Sequence, residues 1–211
     1  MLKSYIITAI RNIKRQKLSS IINIFGLALG IASFLVIFLY IKSELRFDKH
    51  WKDSNNIYRI SESIDYGKRA ADYALSPFPL APSLQDYFPE VNLATRISRS
   101  RDYTTVKYDD KIFNITDVHF ADTNFFKIFD YQFIEGNPYV ALKDPNNIVI
   151  SLRTAKKFFG NAPALGKVLK IEDQAFTISG VINSHEHESH LEPNILRSTL
   201  IFPQDYQEML N

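Results

Sequence analysis

The 211-residue chain contains no cysteine. That excludes thiol catalysis, Cys-based zinc sites and disulfide staples, and leaves the compartment undecided. Glycine is scarce, at seven residues, and none falls in a Walker or Rossmann phosphate-binding pattern, so no loop is shaped to cradle ATP or a dinucleotide. No serine lies in a G-x-S-x-G turn or an S-x-x-K motif. The acids are dispersed, with no pair set for acid–base work. Acid is also missing from the first eighteen residues, where Lys3, Arg11, Lys14, Arg15 and Lys17 give +5; with a net charge of +2, the remainder sums to -3. A basic tip on a slightly acidic body lacks the basic face that nucleic-acid binding requires. The reading is non-enzymatic, with no cofactor and no nucleic-acid partner.

What is present in excess is one apolar run. Leu18 to Ile41 is 24 residues without a charge, roughly 36 Å as a helix against a hydrocarbon core of about 30 Å. The mean hydropathy of the whole chain is only -0.14, so the apolar excess is concentrated there. A buried core helix rarely runs so long without a polar break, and a cleaved signal peptide has an apolar region of about 7–15 residues ending in a small-x-small site. Here bulky residues lead into Lys42-Ser43-Glu44-Leu45-Arg46. A retained transmembrane helix over 18–41 is expected. Five Lys/Arg precede it, against Lys42, Arg46 and Lys49 after it, so the N-terminus is expected in the cytoplasm and the domain outside.

Residues 1–17 read as a cytoplasmic amphipathic helix. Ile6, Ile7, Ile10 and Ile13 recur at helical spacing, with Arg11, Lys14, Arg15 and Lys17 elsewhere on the wheel. Such a segment either lies in the interface against anionic headgroups or serves only as a topogenic charge cluster. Within the span, Gly26 and Gly30 stand four apart, a spacing that lets a second helix approach closely.

Beyond residue 42 short β-like runs alternate with turn signals. Strands are expected at 57–64, 93–98, 103–108, 111–118, 148–150, 167–172 and 175–182. Helices are expected at 80–88, ending before Pro89, and at 152–159, capped by Ser151 and stopped by Gly160, with a helical turn at 124–129. Few helices scattered among many strands make the class α+β: one N-terminal transmembrane helix followed by a mixed extracytoplasmic domain over 42–211.

One cluster invites a metal. His185, Glu186, His187, Glu188 and His190 fall within six residues, the donor types of zinc or copper sites. On a strand His185 and His187 share a face and His190 does not. Neither periodicity describes this polar loop, so a solvated loop is the expected state and a metal-dependent enzyme the outlying alternative.

Taken in order, the segments resemble one family. Ala9-Ile10-Arg11-Asn12 and Ile22-Asn23-Ile24-Phe25-Gly26-Leu27-Ala28-Leu29-Gly30-Ile31 resemble the first span of MacB/FtsX-type ABC transporter permeases. Glu44-Leu45-Arg46-Phe47-Asp48 and Asn56-Ile57-Tyr58-Arg59-Ile60 are similar to the start of their periplasmic core domain. Phe88-Pro89-Glu90-Val91, Phe120-Ala121-Asp122, Phe125-Phe126, Phe133-Ile134-Glu135-Gly136-Asn137-Pro138, Ile148-Val149-Ile150-Ser151, Phe159-Gly160, Leu165-Gly166-Lys167 and Gly180-Val181 follow. The resemblance implies an inner-membrane permease, a separate ABC ATPase subunit, a second permease copy, a lipid surround and no catalytic residues. Such permeases return to the membrane with further spans, and no second apolar stretch occurs before Asn211. The expectation is an N-terminal portion whose core domain is incomplete at its C-terminal end. The alternative is a stand-alone anchored sensor or binding module.

Overall fold

The computed structural model describes residues 5, 7, 11, 14–45, 47–65, 67, 70–100, 102–183 and 189–202. The chain divides into two units, Met1–Phe47 and Asp48–Asn211.

In the first unit, helix α1 runs Lys17–Glu44, 28 residues, or about 42 Å. It overruns the expected span by one residue at its start and three at its end, because no proline or glycine stops it at Ile41. None of its residues is buried, and it is long and apolar enough to cross a membrane. So much exposed Leu, Ile and Phe would be untenable in water, whereas a helix satisfies its own backbone and tolerates lipid. Tyr5, Ile7, Arg11, Lys14 and Arg15 are also helical, and Gln16 is a bend that separates them from α1.

In the second unit nine strands form one mixed sheet. Its elements are β3 (Ile97–Arg99), β4 (Thr104–Tyr108), β5 (Lys111–Ile115), β6 (Val118–Ala121), β7 (Phe133–Gly136), β8 (Asn147–Ser151), β9 (Val168–Ile171), β10 (Gln174–Ile182) and β11 (Ile195–Ser198). The order is β3-β6-β11-β8-β10-β9-β4-β5, with β7 also on β10. A separate hairpin, β1 (Glu62–Asp65) with β2 (Ala70–Tyr73), stands outside the sheet. Helix α2 is Leu80–Tyr87, α3 is the single turn Phe125–Ile128, and α4 is Leu152–Phe159.

Strand alternation sends neighbouring residues to opposite faces, and the sheet is packed on both. Ile148, Ile150, Phe176, Ile178 and Ile195 enter a core that includes Ala155 and Phe158 of α4. Val149, Ile182 and Leu196 enter a second core with Trp51, Phe125, Phe129, Tyr131 and Leu142. Helix α4 begins as expected, with the Ser151 hydroxyl accepting from Thr154 N at 3.1 Å, and it stops at Gly160, φ +65.

Several expected strands are shorter or divided. Of 57–64 only Glu62–Asp65 forms strand, and Tyr58 and Ile60 lie exposed. The run 93–98 narrows to β3. The run 111–118 breaks between β5 and β6 because Asp117 adopts φ +58, a left-handed conformation that Asp tolerates better than most residues. The Glu172-Asp173 turn does join β9 to β10, with φ +50 and +67, the signature of a tight primed turn.

Strands β7, β2 and β11 were not expected, and β11 carries a buried charge. The Arg197 guanidinium lies 4.4 Å from the Phe176 ring centre and 4.9 Å from that of Phe120. Burial pushes its pKa below the ordinary value, and the two ring faces supply cation–π compensation.

At Gly136 (φ +91) a Cβ would lie 2.3 Å from the Ser179 carbonyl oxygen, whereas one at Gly160 (φ +65) would meet nothing within 4 Å. Gly160→Ala should therefore cost about 1–2 kcal/mol of backbone strain, and Gly136→Ala about 1–3 kcal/mol more from overlap. Urea unfolding of the two variants measures this; equal losses would contradict the close approach.

Candidate functional site

The chain joins the second unit at Asp48, whose backbone sits at φ +57. Its carboxylate accepts from Ser189 Oγ at 2.5 Å, from the His190 backbone N–H at 3.2 Å and from His190 Nδ1 at 2.7 Å. Three donors converge on one acid from 142 residues away in sequence. Burial alone would raise the Asp48 carboxyl, but the hydrogen bonds from Ser189 and His190, with the His190 charge, outweigh it and hold it below its usual value.

Three residues further on, Trp51 is buried, with ring centres 5.2 Å from Phe129 and 4.8 Å from Tyr131. The Tyr131 hydroxyl donates to the Leu191 carbonyl oxygen. Its pKa is raised, chiefly by burial and then by the Asp48 and Glu192 charges. Lys52 N–H donates to Asp130 Oδ1 at 3.2 Å, and Leu191 N–H to Ser189 Oγ at 3.0 Å. Residues 48–52 are thus fastened between the segment after α3 and the segment before β11. A carboxylate latch on one side and an aromatic plug on the other fix where the chain enters the domain.

Other motif residues form similar ties. Glu135 accepts from the backbone N–H groups of Ala164 (3.0 Å) and Leu165 (2.8 Å), pinning the Leu165-Gly166-Lys167 loop to β7. Arg96 grips Asp122 through two parallel bonds of 2.8 Å and lies 3.9 Å over the Phe78 ring centre. Thr199 also donates to Asp122. None of these ties is visible from spacing, since their partners lie 18 to 142 residues apart. The sequence signals for Asp48 are its place shortly after the apolar helix and its membership of the Glu44-Leu45-Arg46-Phe47-Asp48 segment.

Of the expected site residues, Gly26 and Gly30 lie on α1 with no atom within 4 Å of where a Cβ would stand. Arg11, Lys14, Arg15 and Lys17 are exposed. Lys3, and His185 and His187 of the histidine cluster, fall outside the described residues. His190 is engaged by Asp48, and the described residues contain no group of three potential metal ligands.

An apolar helix followed by a two-faced mixed sheet, held by such polar ties, defines a tethered α+β scaffold. A profile of the MacB-like periplasmic core domain matches residues 20–210, so the chain belongs to the MacB-like periplasmic core domain family. Among solved structures it is similar to a domain assigned to a permease protein of Porphyromonas gingivalis, with 26% identity and a TM-score of 0.58, covering 69% of this chain and 62% of that one. The chain thus spans less than two thirds of that relative's length. The periplasmic region of MacB from Actinobacillus actinomycetemcomitans gives 14% identity and a TM-score of 0.42, with 56% and 55% covered. The extracellular domain of the noncanonic ABC-type transporter YknZ from Gram-positive bacteria gives 17% and 0.41, with 53% and 57% covered. No curated protein matches.

Because the folded Asp48 carboxyl titrates below its ordinary 3.8, the latch's contribution is complete above that value and is lost as the pH falls through the lowered pKa. With side-chain exposures of 39% for Asp48 and 72% for His190, solvent screening reduces the effect of Asp48→Asn to about 1 kcal/mol at neutral pH. The difference from wild type should close in strong acid. Urea unfolding across pH measures it, and a gap that stays constant into acid would show the latch to be inert.

Proposed function

We propose that this chain is the N-terminal portion of an ABC transporter permease. Residues 18–41 anchor it in the bacterial cytoplasmic (inner) membrane with the N-terminus cytoplasmic. The domain from residue 42 onward lies in the periplasm and couples a separate ATPase to transport or to mechanotransmission. The single observation that carries this reading is the family match over residues 20–210, which spans both the apolar helix and the sheet domain.

The details follow from chemistry. The basic flank of Lys3, Arg11, Lys14, Arg15 and Lys17 suits the anionic headgroups of the cytoplasmic leaflet and keeps that end inside. Gly26 and Gly30 offer a surface on which a second permease copy packs its own helix. The chain works without catalysis of its own, since energy comes from the ATPase and the domain's part is to move or to hold. For that part the latch at Asp48 and the plug at Trp51 matter most, because they sit where displacement of the preceding chain would be felt first.

The lack of native cysteine makes topology directly testable. A single cysteine at exposed Ser98 should react with a membrane-impermeant maleimide in intact cells with a permeabilised outer membrane. One at Lys14 should react only after the inner membrane is broken. The reverse pattern would sink the orientation.

Coupling is tested by affinity purification from the native host, with the gene in its own genomic context. The expected outcome is recovery of an ATP-hydrolysing subunit and of a second permease copy. The copy-to-copy contact should weaken in a Gly26→Leu, Gly30→Leu double variant. Repeated purification without any ATPase would refute the coupling role.

A further inference from the structure

A small cavity opens between β5, α4 and the segment leading into β11. It has a volume of about 110 Å³, with Asn114, Ile115, Thr116, Arg153, Lys157 and Asn194 in its lining. We propose that this cavity binds a single phosphate group, either free or as the phosphodiester of a lipid headgroup.

Charge is the first argument. Helix α4 contains no acid and carries Arg153, Lys156 and Lys157 within eight residues. Arg153 and Lys157 stand four apart, so both project from one face, and both line the cavity. Like charges at that spacing repel, and no carboxylate lines the cavity to relieve them. Asp117 adjoins Thr116 in sequence but is taken up elsewhere, by Arg99 at 2.5 Å and by the Thr116 hydroxyl at 3.0 Å. An anion in the cavity removes the conflict.

The donors are also held in place. Asn194 donates through Nδ2 to the Thr116 carbonyl at 3.0 Å, and its Oδ1 accepts from Ser151 Oγ at 3.4 Å and from one Nη of Arg153 at 3.1 Å. That fixes the guanidinium while using one of its five N–H groups. The Lys157 ammonium is steadied 4.5 Å over the Phe113 ring centre.

A fork and an ammonium converging from one helix face match the several oxygens of a tetrahedral anion. A planar carboxylate would be served by the fork alone. The volume admits one such group. The assignment is independent of the permease reading, since it rests only on residues of the sheet domain.

The test uses the full chain in neutral-detergent micelles at constant ionic strength. Calorimetry follows titration with inorganic phosphate and, separately, with glycerophosphoglycerol, a soluble phosphodiester headgroup. Saturable one-to-one binding is expected, weakened at least about tenfold by Arg153→Gln or Lys157→Gln through loss of a charge-assisted bond. Both side chains are exposed, so the melting temperature should not change. Lys156→Gln removes the same charge from the same helix outside the cavity and should alter affinity less than about twofold. Tighter binding of free phosphate assigns a soluble ligand, and tighter binding of the diester assigns a lipid headgroup. Non-saturable heats with both probes, or an equal loss in Lys156→Gln, would overturn the site.

Discussion

Strand β10 pairs along three lines. Its first half lies antiparallel to β9, its second half from Thr177 onward runs parallel to β8, and its last residues pair antiparallel with β7. The crowding is relieved where Gly180 pairs with Gly136, since a Cβ at Gly180 would come within 2.5 Å of the Phe133 ring. Gly136 lets the two backbones meet, and Gly180 leaves room for the Phe133 ring. Much of the domain follows from that contact. Strand β7 continues the segment bearing Phe129 and Tyr131 of the second core, and its Glu135 holds the loop that precedes β9. One constraint therefore joins the sheet, the aromatic core and the loop.

Local signals in the sequence found the elements that make their own boundaries. Helix α4 carries a serine cap and a glycine stop, β9 and β10 are separated by an acidic turn, and the Ile148-Val149-Ile150 run lies in the sheet interior. Elements defined by distant partners were not legible. Strand β11 contains Arg197 and Ser198, and its place in the sheet depends on distant Phe120 and Phe176, which enclose the guanidinium. Strand β7 is short and half-exposed, and only its pairing with distant β10 makes it a strand. The hairpin β1–β2 is displaced from the run read at 57–64 because no element draws Tyr58 and Ile60 inward.

Of the candidate site, the residue types were legible and their roles were not. The apolar span and the basic flank could be read directly, because composition alone decides them. The histidine-rich segment reads as a solvated loop, with metal as the outlying alternative, and its one described imidazole is engaged by Asp48. The family motifs prove to be fastening points: Asp122 holds Arg96, Glu135 holds a loop, Gly136 and Gly180 permit contact, and Ser151 caps a helix. In this chain those residues specify shape.

The latch at Asp48 has a mechanical meaning. It closes a circuit of 142 residues, so a tug on the polypeptide just ahead of Asp48 is met by that carboxylate and by the indole of Trp51. The first strand of the large sheet lies far downstream, at Ile97. Under the proposed coupling role, force from that direction would meet a few polar contacts and one aromatic seat before it reached the sheet ladder. The seam is also the natural place for the domain to loosen and reseat without unfolding.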